Sequence, residues 1–157
     1  MGLDMYLYRR EYVGGWDFQT NMDREGEREL YDNIVKVFGH DRLEACPHVY
    51  VDICVAYWRK ANAIHGWFVT ELAKGVDNCQ DIYVSRNDLI KLRDLAKAAL
   101  LEPSMAGDIL PPTSGFFFGS HDIDDWYMDD MRNTVKQIDK VLKQSKEHSY
   151  FYYKASW

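Results

Sequence analysis

An amphipathic pattern near the C-terminal end of the chain constrains the fold most. Apolar residues recur there at helical spacing and fall on one face. They are Ile123, Tyr127, Met131, Val135, Ile138 and Leu142. We predict a helix that is capped by Ser120 or Asp122 and runs to about residue 146. A helix of this length has to bury its apolar face. At 157 residues the chain is long enough for one core, so we predict a single domain over 1–157.

Three further segments have helical spacing. Residues 22–38 follow a capping box at Thr20–Asp23 and end before Gly39, which is typical of a first helix. Residues 50–74 end before Gly75 and predict a second helix. Its apolar stripe is Ile53, Tyr57, Ala61, Ile64, Phe68 and Leu72. A third helix is predicted between the capping box at Ser85–Asp88 and Pro103, with Leu89, Leu92, Ala96 and Ala99 on its apolar face.

Strand signals lie near both ends of the chain. Leu3, Met5 and Leu7 alternate with polar or tyrosine positions, which is the period of a half-buried strand. Residues 82–84 and 150–153 have the composition of two more short strands. The sequence therefore predicts an α+β fold, mainly helical with about four helices and a small sheet. We expect that sheet to be antiparallel and to include the N-terminal and C-terminal strands.

Charge and composition exclude several classes of protein. With 25 acidic and 19 basic residues the net charge is −6, which argues against nucleic-acid binding through bulk charge. No apolar run approaches the ~20 residues that span a bilayer, so we expect no membrane association. The three cysteines are an odd set, typical of thiols that stay reduced. We therefore expect a cytoplasmic protein.

The predicted helix over 50–74 carries the first candidate ligand site. Trp58, Asn62 and His65 fall on one face beside the apolar stripe, and Arg59 lies one step further round. A stacking ring, two hydrogen-bonding side chains and a guanidinium form half of a pocket for a nucleotide or small anion. The alternative interpretation is that Trp58 and His65 pack against another helix and that Arg59 is solvated.

The loop over 113–120 is the second candidate. It holds Ser114, Phe116 and Phe118 just before the start of the last helix, where backbone N–H groups attract anions. We predict that these residues complete the pocket. The alternative is a buried run of phenylalanines followed by a helix with an acidic cap.

Three carboxylates near the start of the last helix are weak candidates for a metal site. Asp122, Asp125 and Asp129 are spaced so that one helix face could carry all three. Acidic residues are also common in a first helical turn because they complement the helix dipole. We therefore predict no metal and no cofactor.

Several segments resemble a family of small proteins of unknown function that phages, prophages and bacterial genomes encode. They are MGLDMYL at 1–7, AYWRKAN at 56–62, IH at 64–65, WFV at 67–69, GVDNC at 75–79, SGFFFGS at 114–120 and YYKASW at 152–157. The resemblance covers most of the chain. It implies an origin in a phage or mobile element, and it implies no activity and no site residues.

These observations favour a non-enzymatic binding protein that acts in the cytoplasm of a phage host. It would sequester a nucleotide-like ligand as an anti-defence measure, or inhibit a host protein with the acidic and aromatic segment 122–130. The alternative is a metal-dependent hydrolase that processes nucleotides. Five aromatic residues within 150–157 could also build a homodimer.

Overall fold

The computed structural model describes residues 2–16, 26–115 and 118–157 and shows the α+β fold that the sequence predicts. Four strands form one antiparallel sheet in the order β2-β1-β4-β3. The strands are β1 (Asp4–Gly14), β2 (His48–Arg59), β3 (Ile82–Val84) and β4 (Tyr150–Ser156). Both terminal strands belong to this sheet, as predicted, and the strand order makes them neighbours in it.

Five helices accompany the sheet in the described ranges. They are α1 (Glu27–Val37), α2 (Asn62–Trp67), α3 (Arg86–Leu101), α4 (Ala106–Ile109) and α5 (Asp125–Gln144). A π-helical turn, Phe68–Leu72, continues α2, and a 3-10 turn, Pro103–Met105, precedes α4. None of the helices in the part of the chain that the structure describes is both long and apolar enough to cross a membrane.

The chain divides into two compact units. Met1–Arg9 and Cys54–Trp157 form the main unit, and Arg10–Ile53 form the small unit. The single domain predicted from the sequence stays a prediction, because a compact unit need not fold independently.

The small unit is held together by arginine contacts. Arg10 binds the Asp52 carboxylate through two hydrogen bonds of 2.7 Å, and this pairing lowers the pKa of Asp52. Arg42 lies over the buried ring of Tyr31 and binds Asp32 at 2.9 Å. Gly15 is required beside this ring, since a Cβ there would lie 2.3 Å from a Tyr31 ring carbon.

The core of the main unit joins the sheet to the helices. Met5 and Leu7 of β1 and Phe151 of β4 are fully buried, in one cluster with side chains of α2, α3 and α5. The third predicted helix is confirmed as α3. Its capping box is complete, with the Ser85 hydroxyl accepting from the Asp88 N–H at 3.1 Å and Asp88 accepting from the Ser85 N–H at 2.9 Å.

The helix predicted over 50–74 is wrong. Residues 48–59 form β2, and helical structure covers only 62–72. The segment is rich in β-branched and aromatic residues, which favour a strand once β1 offers a partner. Lys60 then adopts a left-handed conformation with φ of 60°, and this separates the strand from α2. Ile53 and Tyr57, two residues of the predicted stripe, are exposed.

The boundaries of the other helices need smaller corrections. The predicted start of the first helix, with its capping box at Thr20–Asp23, lies outside the described residues, and α1 begins at Glu27. For the last helix neither Ser120 nor Asp122 is the cap. Asp124 caps α5 by accepting from the Tyr127 N–H at 2.9 Å, and the helix ends at Gln144.

The edge strand β2 is capped by a side chain of α5. The Gln137 side-chain oxygen accepts from the Tyr57 N–H at 2.8 Å, and its Nε2 donates to the Tyr57 carbonyl at 2.8 Å. Edge strands present unpaired backbone groups that can pair with another chain. The Gln137 amide occupies two of these groups.

We expect Gln137→Ala to lower the free energy of unfolding by about 1 kcal/mol, because it removes two partly solvated hydrogen bonds. It should also increase self-association through β2. Urea unfolding and light scattering measure the two effects. Lys140→Ala, at an exposed position of the same helix, should change neither. Equal effects of the two substitutions would contradict this role of Gln137.

Candidate functional site

The residues predicted to share one helix face lie on two different elements. Trp58 and Arg59 end β2, whereas Asn62 and His65 belong to α2. The Trp58 ring faces the core and is only 1% exposed, and its indole N–H donates to the Thr134 hydroxyl at 2.9 Å. Buried and hydrogen-bonded in this way, Trp58 does not offer a face on which a ligand could stack.

Asn62 fastens the loop that precedes α5. Its side-chain amide is buried and donates to the carbonyls of Phe118 at 3.3 Å and Ser120 at 2.7 Å. Its side-chain oxygen accepts from the Thr113 N–H at 3.4 Å. The Asn62 side chain thus satisfies backbone groups at both ends of the segment 113–120.

His65 occupies a buried hydrogen-bond chain. Its Nδ1 lies 2.7 Å from the Tyr153 hydroxyl, and its Nε2 lies 3.0 Å from a carboxylate oxygen of Asp77. The edge of the ring meets Phe118, with the ring centroids 5.0 Å apart. Burial, with the nearby Asp77 charge as a second cause, raises the pKa of Tyr153 well above its ordinary value. Both nitrogens of His65 therefore have protein partners: Nδ1 joins α2 to Tyr153 of β4, and Nε2 joins α2 to Asp77 in the segment before β3.

The three candidate ligand residues of the loop over 113–120 do not form one surface in the described residues. Ser114 is exposed, Phe118 is buried, and Phe116 lies outside the described residues. Of the predicted ligand residues, Arg59 and Asn62 line the same cleft.

This cleft, which we call the Trp126 cleft, has a volume of about 630 Å³. One wall is the junction of β2 and α2, with Arg59, Lys60 and Asn62. The other wall is the loop before α5 and the first turns of that helix. Its polar and aromatic residues are Ser120, Asp122, Asp124, Trp126, Tyr127 and Asp130. The volume is within the range of small-molecule sites.

Backbone strain lies in the wall of the Trp126 cleft. Lys60 has φ of 60°, and its N–H is held by the Leu3 carbonyl at 2.8 Å. Gly119 has φ of 100°, and a Cβ there would lie 3.5 Å from the Lys60 carbonyl oxygen. Strained non-glycine residues persist where the surrounding structure imposes them, and they cluster at functional sites.

Both signs of charge line the Trp126 cleft. The Arg59 side chain is 65% exposed and 3.8 Å from Asp4, so the ion pair leaves it accessible. Asp130 lines the same cleft. Burial, and then the charges of Asp129 and Asp124, raise the pKa of Asp130 to about 7. A perturbed carboxyl group in a cleft is typical of a functional site.

Trp126 is 80% exposed. It lies off the apolar stripe of α5, whose Tyr127 is buried and donates to the Ala106 and Leu110 carbonyls at 2.9 and 2.8 Å. A tryptophan at a solvent-facing position of an amphipathic helix is the sequence signal that marks this site. The raised pKa of Asp130 has no such signal, because it depends on burial.

The three carboxylates named as weak metal candidates do not all lie on one helix, contrary to the spacing argument. Helix α5 begins at Asp125, and Asp122 precedes it and accepts from the Ser120 hydroxyl at 2.8 Å. Asp129 pairs with Arg132. In residues 2–16, 26–115 and 118–157, no three His, Cys, Asp or Glu side chains are grouped to hold a metal ion.

Comparison with known proteins gives no match among protein-family models, curated proteins or solved structures.

We expect Asn62→Ala to lower the free energy of unfolding by about 2–3 kcal/mol, since the buried carbonyl of Phe118 and the more exposed carbonyl of Ser120 would both lose their donor. Urea unfolding measures the change. Asn87→Ala is the control, because Asn87 is exposed on α3. Comparable losses in the two variants would contradict the fastening role of Asn62.

Asp130 should make stability depend on pH. The folded protein keeps the proton between about pH 4 and 7, where the unfolded chain has lost it, so stability falls as the pH rises through this window. Asp130→Asn removes this loss. We therefore expect the difference in melting temperature between Asp130→Asn and the wild type to increase from pH 5 to pH 8, in favour of the variant. For Asp108→Asn, at an exposed site on α4, the difference should stay constant. A constant difference for Asp130→Asn would refute the assignment.

Proposed function

We propose that this chain is a non-enzymatic binding protein whose Trp126 cleft holds a small nucleotide-like ligand. The observation that carries the proposal is that the exposed Trp126 ring and the cations Arg59 and Lys60 line one cleft of about 630 Å³. A flat aromatic ring can stack on tryptophan, while cationic side chains hold an anionic group. A ligand that combines an aromatic ring with an anionic group would therefore interact with both walls, through stacking on one and through ionic contacts on the other.

The carboxylates of the cleft narrow the class of ligand. Asp122 and Asp124 are acceptors that suit the hydroxyl groups of a ribose or the amino group of a base. Asp130, with a pKa of about 7, can donate or accept near neutral pH. The same carboxylates repel a highly charged polyphosphate. We therefore favour a ligand of low negative charge, such as a nucleoside monophosphate or a cyclic nucleotide.

The resemblance to phage and prophage proteins supports a biological setting for this binding. A protein of that origin would act in the host cytoplasm and sequester a nucleotide signal used in host defence. In this setting the ligand is bound and retained, and turnover is not required.

A second candidate is inhibition of a host protein. Trp126, Asp125 and Asp129 form an exposed acidic and aromatic strip at the start of α5. Such a strip could occupy a basic cleft of a partner. Binding to a partner would be lost in Asp129→Lys and retained in Arg59→Ala, which is the reverse of what ligand binding through the cleft requires.

Calorimetry with a panel of nucleoside monophosphates, triphosphates and cyclic nucleotides tests the ligand proposal. We expect a monophosphate or cyclic nucleotide to bind with Kd below about 0.1 mM, which is about −5.5 kcal/mol. Trp126→Ala should weaken it at least about fivefold through lost stacking, which contributes about 1–3 kcal/mol per base. Arg59→Ala should weaken it about tenfold through a lost charge-assisted hydrogen bond of about 1.5–3 kcal/mol.

Phe38→Ala and Lys97→Ala are matched controls, an exposed ring and a partly exposed cation that do not line the cleft. Both should bind as the wild type does. If no member of the panel binds below about 0.1 mM, or if Trp126→Ala leaves affinity unchanged, the cleft is not a nucleotide site. Conversion of a bound nucleotide in the presence of Mg²⁺ would instead support the hydrolase.

A further inference from the structure

A second cleft of the main unit, which we call the Trp67 cleft, has a volume of about 330 Å³. Trp67 and Thr70 form one wall, Lys91 and Leu95 of α3 form another, and Leu110 and Thr113 close it. Ala63 is the residue it shares with the lining of the Trp126 cleft. We infer that the Trp67 cleft binds a small, neutral and mainly apolar molecule that carries one hydrogen-bond acceptor.

The indole N–H of Trp67 is the first observation. Trp67 is 7% exposed, and its Nε1 has no hydrogen-bond acceptor among the described residues. The buried Trp58, by contrast, donates its N–H to Thr134 at 2.9 Å. A buried donor without an acceptor costs about 1–3 kcal/mol, so native proteins rarely retain one. A ligand that enters this cleft and brings an acceptor to Nε1 would recover that cost.

The backbone that builds the wall is the second observation. Phe68–Leu72 is a π-helical turn, in which the Ala73 N–H reaches the Phe68 carbonyl at 3.3 Å. Such turns are rare and occur frequently at functional sites. This turn carries Thr70 and Glu71, both of which line the Trp67 cleft.

Gly66 allows Thr113 to approach α2 closely and so to close the Trp67 cleft. A Cβ at this position would lie 1.9 Å from the Thr113 hydroxyl oxygen, so only glycine admits Thr113 there. Thr113 is held in turn by its N–H, which donates to the Asn62 side chain at 3.4 Å. The cleft is therefore formed by specific close contacts on both sides.

The charges at the cleft select a neutral ligand. Glu71 and Lys91 form an ion pair with N···O of 2.5 Å, and both side chains are partly exposed. Because each charge is already compensated, neither is available to pair with a charged ligand. Leu95, Ile109 and Leu110 supply apolar surface. The volume, near the lower end of the ~300–1,000 Å³ typical of ligand pockets, limits the ligand to a small molecule such as an aryl ketone.

Acetophenone and ethylbenzene are matched probes, since they have similar shapes and only acetophenone carries an acceptor. In ¹H–¹⁵N spectra the Trp67 indole signal is identified by its loss in Trp67→Phe. We expect acetophenone to move this signal saturably downfield and ethylbenzene to bind without that shift. In Trp67→Phe the Kd for acetophenone should rise about fivefold, which corresponds to one hydrogen bond of about 1 kcal/mol, whereas that for ethylbenzene should not change.

Two further measurements keep the inference falsifiable. Nuclear Overhauser contacts from acetophenone to the methyl groups of Leu95 and Leu110 can be recorded on the wild-type protein, even if Trp67→Phe does not fold. Trp126→Ala should leave acetophenone binding unchanged, which separates this site from the proposed nucleotide site. Absence of saturable shifts, contacts to other residues only, or equal indole shifts with both probes would overturn the inference.

Discussion

Both clefts depend on the hydrogen bonds of one buried side chain, that of Asn62. Its amide and carbonyl groups bind backbone atoms of Thr113, Phe118 and Ser120. Thr113 closes the Trp67 cleft, and Ser120 lines the Trp126 cleft. A loop has few means to satisfy its own backbone groups, so a buried amide that supplies three partners determines where the loop lies.

The need to satisfy buried polar atoms also explains why several candidate ligand residues became structural. Trp58 and His65 have donors and acceptors that could read a ligand, but both are buried and bonded to protein partners. Once buried, such a group is stable only with a partner, and the partner removes it from ligand binding. The groups left to interact with a ligand are those that the fold exposes, such as Trp126, or those without a partner in the described part of the chain, such as the Trp67 indole.

Local signals predicted the elements that depend on local interactions. The capping box at Ser85 and Asp88 predicted the start of α3, and the alternation of Leu3, Met5 and Leu7 predicted β1. The strand β2 was missed because its apolar residues also match a helical period. Pairing with β1 decides between the two, and a local pattern does not contain that contact. The same error placed Trp58 and His65 on one face.

By itself the sequence determined the α+β class, the helices α3 and α5 and the participation of both terminal strands in the sheet. It did so because capping, amphipathic spacing and alternation act within a few residues. Only the tertiary structure decided which polar groups became buried. The burial that raises the pKa of Asp130, and the lack of an acceptor for the Trp67 indole N–H among the described residues, depend on neighbours distant in sequence. Burial and the partners it demands are properties of the packed chain, so the position of the candidate sites followed from packing.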